Sequence, residues 1–324
     1  MDMYEILPYT KDLDSRIDRF VNQESVNGTF LQTRRFLNYH PEGRFKDASF
    51  VLHKSGIIVA YFPGVVTESG CWISHQGSTF GGPVISKDYY SGSRILEIIE
   101  TADKYLSENF RSVKMKPSGR IFSTEPTDLL EYALEHFGYE RSSELSSYTQ
   151  LNECSDPLEL CTRECRHNYR KSNGEAFTYR HLEDEEEFRK FYNLLEISKK
   201  KYNTRPVHTL QELLLLKDLF PEEILFRGIF DGDTYLSGMM LFVFKQAKAI
   251  HFQYVAPDES LRDKNGTTAL YIGAMREAKR LGLEKFSWGI STEDSGKILN
   301  ESLYHFKESF GAKGAVNITF TKKF

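Results

Sequence analysis

The chain has 324 residues, enough for about two domains, and its 40% hydrophobic, 14% aromatic and 27% charged residues are the mixture of a globular protein. No stretch reaches the roughly 20 unbroken apolar residues of a membrane span, and the acidic N-terminal segment has no apolar centre, so neither membrane insertion nor secretion is expected. A net charge of −4 argues against a basic nucleic-acid coat and against DNA as a partner, and four clustered cysteines are too few for a disulfide scaffold, so a cytoplasmic protein is expected.

In the first half, residues 5–10 read as a strand, followed by helical stretches near 12–22 and 33–39. Strands follow over 48–54, 57–66 and 71–76, with Ser55-Gly56 as a turn. The glycine-rich loop 77–82 leads to a helix whose Ile95, Ile98, Ala102 and Leu106 share one face. A strand over 111–116, a helix over 128–137 stopped by Gly138, and the segment 139–151 close the half.

The second half repeats this order. A strand over 176–182 precedes helices over 184–201 and 209–219. Residues 224–230 and 234–244 form a hairpin around Asp231-Gly232, and 249–255 is a third strand. The loop 260–268 opens a helix striped by Leu270, Ala274, Ala278 and Leu281. A strand over 285–290, a helix over 298–310 stopped by Gly311, and a strand over 315–320 complete the chain. Ten elements in matching order predict a duplication, with the boundary near 150–158.

Several segments carry a resemblance: Arg166-His167-Asn168-Tyr169-Arg170-Lys171, His251-Phe252-Gln253-Tyr254, Asn265-Gly266, and the stretch from Phe286-Ser287-Trp288-Gly289 to Phe306-Lys307-Glu308-Ser309-Phe310-Gly311-Ala312. With the element order, they resemble the acyl-CoA N-acyltransferase fold of the GNAT superfamily, and its two-unit Fem-type branch in particular. Ser302 stands where such domains commonly have glycine. The resemblance implies an α/β protein of two tandem GNAT-like domains, each a mixed, mostly antiparallel sheet flanked by helices. Residues 1–153 would form the acceptor-side or structural domain and 154–324 the FemAB-like catalytic domain. It implies a splayed pair of central strands in the second domain. It also implies acetyl-CoA or another acyl-CoA as donor, no metal, and a small amine or amino sugar as acceptor. The Fem branch includes aminoacyltransferases of cell-wall synthesis, so aminoacyl-tRNA is the alternative donor. The coiled-coil insertion of some of those enzymes is absent, which weighs against tRNA. A non-catalytic binding module that kept the fold is the third reading.

Thioester-to-amine transfer needs backbone N–H groups for a pyrophosphate, a donor for the developing oxyanion, and groups that move protons. Arg262, Lys264, Asn265, Gly266 and Thr267 open the helix after the third strand and are the donor-binding candidates. Of the superfamily pattern Q/R-x-x-G-x-G/A only the central glycine is kept, as Gly266, and the loop reads equally as an ordinary connection. Strict alternation along 249–255 would put His251 and Gln253 on one face and Phe252 and Tyr254 on the other. His251 could take the amine's proton, with Glu293 as an alternative base. Lys307 takes the register of the tyrosine acid of many single-domain relatives, and Fem-type relatives carry a lysine here that matters for activity. Tyr304, one turn earlier, is an alternative proton source. His75, Gly77, Arg166, Arg170, Gln253 and Tyr254 are the acceptor-side candidates. Arg166 and Arg170 could clamp a phosphate or pair with the acidic run 183–187. Cys154, Cys161, Cys165 and His167 lack the paired spacing of a zinc site.

Overall fold

Pro63 interrupts the apolar run from Ile57 to Val66, and proline cannot donate to a ladder. In the structure, a computed structural model describing residues 4–201 and 203–324, that run is two strands in two different sheets. The elements up to the middle of the chain are β1 (Glu5–Pro8), α1 (Asp14–Arg19), α2 (Arg34–Leu37), β2 (Phe50–Lys54), β3 (Ile57–Phe62), β4 (Gly64–Val66), β5 (Cys71–Ser74), β6 (Val84–Ile85), α3 (Gly92–Asn109), β7 (Ser112–Met115), α4 (Asp128–His136) and β8 (Glu140–Gln150). There follow α5 (Arg163–Lys171), β9 (Thr178–His181), α6 (Glu185–Lys200), α7 (Leu210–Leu219), β10 (Ile224–Asp231), β11 (Thr234–Phe244), β12 (Ala249–Pro257), α8 (Gly266–Arg280), β13 (Lys285–Ile290), β14 (Thr292–Glu293), β15 (Ile298–Leu299), α9 (Glu301–Glu308) and β16 (Lys313–Lys323).

The chain divides into two compact units. The first takes the described residues through Leu145 together with Thr292–Ile298 and Ala315–Phe324; the second takes Ser146–Ser291 and Leu299–Gly314. The C-terminal strand, which the repeated order counts last in the second half, is grouped with the first unit.

In the first unit β1, β2, β3 and β6 form an antiparallel sheet in that order. β4 pairs antiparallel with β5, β5 parallel with β7, and β7 antiparallel with β16 through Phe320↔Met115 and its neighbours. The expected face of α3 is buried, and Ile95, Ile98, Ala102 and Leu106 pack with Phe50, Phe62, Trp72 and Phe320 in one core.

The second unit takes residues 146–150 of β8, followed in order by β13, β12, β11, β10 and β9. All neighbours are antiparallel except β12 and β13, which run parallel. The β10–β11 hairpin turns at Gly232 with a positive φ of 58°, where glycine carries no Cβ penalty. α8 buries Leu270, Ala274, Met275 and Ala278. Leu281, expected to finish that stripe, is instead the C-cap and is 53% exposed. The expected helix from 298 begins only at Glu301, because the Asn300 side chain caps it by accepting the Leu303 N–H at 3.0 Å. No described helix is long and apolar enough to cross a membrane.

A buried ion pair holds α8 to the sheet. Arg227 of β10 grips the Glu277 carboxylate with Nε and Nη2 at 2.6–3.0 Å, and the Tyr179 hydroxyl donates to it at 2.6 Å. Removing one partner leaves the other charge buried without compensation. Glu277→Ala is therefore expected to lower unfolding stability by about 3–5 kcal/mol, read from urea denaturation.

Candidate functional site

β12 and β13 pair at Ala249↔Lys285, Ile250↔Phe286 and His251↔Ser287, and there the pairing stops, although β12 runs on to Pro257 and β13 to Ile290. The splay expected in the C-terminal half is present, and its local causes are visible. Both strands carry a bulge: Gln253 is the extra residue of β12 against β11, and Trp288 that of β13 against β8. The two residues after the last pair, Phe252 and Trp288, turn their rings toward each other, with centroids 5.7 Å apart.

The bulge also corrects the expected alternation. His251 faces Phe242 and Tyr254 faces Met240, and these two partners lie two residues apart on β11. His251 and Tyr254 therefore share one face, and Phe252 shares the other with Val255.

Lys307 projects from α9 to the end of β13. It is 2% exposed, and Nζ donates to the carbonyls of Gly289 at 3.0 Å and Ile290 at 2.7 Å and to Ser291 Oγ at 2.8 Å. These three acceptors match the three N–H groups of a protonated amine. Burial lowers its pKa to about 8. His251 Nδ1 lies 3.1 Å from Ser287 Oγ. Burial first, then the Lys307 charge, lowers its pKa to about 4, so at neutral pH its ring is neutral and a weak proton acceptor.

Sequence reasoning did not find His208. It lies between α6 and α7, is buried, and its Nδ1 is 2.8 Å from the Tyr254 hydroxyl, while Tyr192 donates to its carbonyl at 3.2 Å. Burial raises the Tyr254 pKa, so the phenol stays protonated. No spacing rule marks a histidine in a connecting segment; only the fold brings it to β12.

A cavity of about 540 Å³ opens at the start of α8. Asn265 and Thr268 of α8, the first turn of α5, and Ser302, His305, Phe306, Ser309 and Phe310 line it. Its aromatic wall continues to the splay, since the Phe310 ring lies tilted against Trp288 with centroids 5.1 Å apart. Two helix N-termini, those of α5 and α8, meet this cavity and supply backbone N–H groups.

The remaining donor-side candidates stand apart from the cavity wall. Lys264 is paired to Asp231 at 2.6 Å, Thr267 Oγ1 meets Ser237 at 3.4 Å, and Arg262 is exposed. Gly266 packs on β11, where an added Cβ would sit 2.5 Å from Leu236 Cβ. Arg166 donates to the Cys161 carbonyl and Arg170 is exposed on the same helix. The acidic run is the first turn of α6, capped by Asp184, and its Glu187 pairs with Arg180 at 2.6 Å. Tyr304 is half-buried on α9. Glu293, His75 and Gly77 belong to the first unit. There His75 is buried beside Phe45 and His40, accepts the Gly77 N–H at 3.3 Å, and is lowered by burial to a pKa of about 3.

Several solved structures share this fold. FemX superposes with a TM-score of 0.71 at 13% identity, covering 99% of this chain and 97% of that one. L-PGS from Bacillus licheniformis gives 0.61 at 12% identity over 95% and 91%. A tandem GNAT protein of the clavulanic acid biosynthesis pathway gives 0.56 at 8% identity over 99% and 98%. The chain therefore has the tandem GNAT fold of Fem-like proteins. No protein-family model matches the sequence, and no curated protein matches it.

Two outcomes follow from the local geometry. Gly266→Val should destabilise the protein by about 1–3 kcal/mol even without ligand, because the contact is between backbone-proximal atoms; thermal unfolding of the free protein reads this. His251 has a folded pKa of about 4 against an ordinary 6.5, so as pH falls through that window the unfolded chain takes the proton first and stability is lost. His251→Gln should flatten this acid limb by one group's share, read from urea midpoints between pH 7 and pH 4.

Proposed function

We propose that the protein is an N-acyltransferase that moves an acyl group from acyl-CoA to an amine, with an amino sugar or nucleotide sugar as the acceptor class. The observation that carries this reading is the parting of β12 and β13 beside the α8 N-terminus and its cavity. A narrow thioester arm fits between parted strands. The anionic end of the donor suits a cavity reached by two helix N-termini, with Arg163 and His305 on its wall.

In this reading Tyr254 supplies the proton to the departing thiolate, and His208 stays bonded to the phenol as it gives that proton up. Lys307 does not touch the acyl group. It is a positioning residue whose three hydrogen bonds fix the end of β13. Gln253 is the bulged residue of β12, next to Tyr254.

A second reading, aminoacyl transfer from aminoacyl-tRNA, is supported by the Fem-type likeness. Calorimetric titration with acetyl-CoA separates the two. Saturable binding, followed by free-thiol release when amino sugars are added, is the expected result. Absence of CoA binding, together with steeply salt-dependent binding of charged tRNA, would establish the second reading instead. Tyr254→Phe should reduce kcat about 100-fold while leaving the affinity for acetyl-CoA unchanged.

A further inference from the structure

A second cavity, of about 260 Å³, lies at the β9–β10 edge of the second unit and shares no residue with the larger one. It forms where β10 begins at Ile224, ahead of its first pair with β9 at Arg227↔His181. α7 gives Lys217 and Asp218 to its wall, and the strands and the residues beside them give His181, Leu182, Ile224 and Arg227. Arg227 is 3% exposed, and a guanidinium has five N–H groups. Nε and one N–H of Nη2 go to Glu277, and those of Nη1 go to the Phe226 carbonyl at 3.1 Å and to His181 Nδ1 at 2.8 Å. The other N–H of Nη2 has no acceptor among the described residues. A guanidinium only donates, so His181 Nδ1 accepts and the neutral ring carries its proton on Nε2, which has no partner among the described residues. The Lys217 ammonium lies 5.0 Å over the Phe188 ring and has no carboxylate within ion-pair distance among the described residues. Each of these three side chains on one small cavity therefore keeps an N–H donor in reserve.

We propose that this cavity is a binding site for a small monocarboxylate with a short apolar body. The carboxylate accepts hydrogen bonds from Lys217, from His181 Nε2 and from the spare N–H of Arg227, and its two oxygens have lone pairs enough for all three. The apolar body rests on Leu182 and Ile224, both buried. Asp218 puts one negative charge on the same wall, which disfavours a doubly charged guest such as phosphate. The Arg227 guanidinium that meets the guest is the one that holds Glu277 of α8, so one side chain joins this site to the helix that opens the donor cavity.

The site does not rest on the transfer reading, and its test reads neither donor binding nor turnover. The full chain, labelled with 15N-histidine, is titrated with benzoate at fixed ionic strength. Long-range 1H–15N spectra follow the His181 ring, assigned by its loss in His181→Gln. Benzoate should shift the His181 signals saturably while the ring keeps its proton on Nε2. Benzyl alcohol, which has the body without the charge, and inorganic phosphate, which has charge without the body, should leave them in place. Lys217→Ala should weaken benzoate binding about tenfold, as loss of one charged hydrogen-bond donor implies, and Lys217→Arg should restore it. His181 signals that ignore benzoate, that move as far with benzyl alcohol or phosphate, or that respond equally in wild type and Lys217→Ala would overturn the proposal. Should Lys217→Ala fold poorly by circular dichroism, the contrast among the three probes on the wild type decides alone.

Discussion

Two parallel strands that begin as neighbours tend to stay neighbours, because each residue of separation leaves backbone groups to be satisfied elsewhere. In this protein β12 and β13 part after three pairs, and one ammonium meets the need at the far end. Lys307 gives its N–H groups to two carbonyls and a hydroxyl beyond the last pair. A buried cation is tolerated only when fully engaged, and this one is. The opening depends on the strands remaining apart, while the shared face of His251 and Tyr254 follows from the bulge at Gln253.

The second unit thus buries an ion pair and a single ammonium, with different duties. The Arg227–Glu277 pair ties α8 to the sheet with opposite charges in direct contact. Lys307 has only neutral acceptors, which is why burial lowers its pKa and why its field disfavours a proton on His251. Of the two groups that the sequence suggests for proton work and charge stabilisation, burial acts first on both, and the Lys307 charge adds to it at His251.

The alternation of strands and helices was legible because apolar period and glycine punctuation mark most elements independently of their neighbours. The α3 stripe, the Asp231-Gly232 turn and the stop at Gly311 are of this kind. The splay was expected from family likeness and is seen. What escaped was decided by tertiary contact. A bulge at Gln253 cannot be read from alternation, yet it moves Tyr254 to the face of His251. His208 has no motif around it. The wall formed by α5 has no counterpart in the repeated pattern of the first half. Lys307 was identifiable as a residue of interest, but its burial was not, because its neighbours on α9, His305 and Phe306, are exposed.

β16 pairs with β7, about two hundred residues earlier in the chain, and most of it belongs to the first compact unit. A ribosome delivers β1 to β7 of that unit long before this strand. The nascent N-terminal portion must therefore wait with an unfilled edge beside β7 until translation has passed through nearly all of the second unit. Vectorial synthesis cannot complete the two units in the order in which they are encoded.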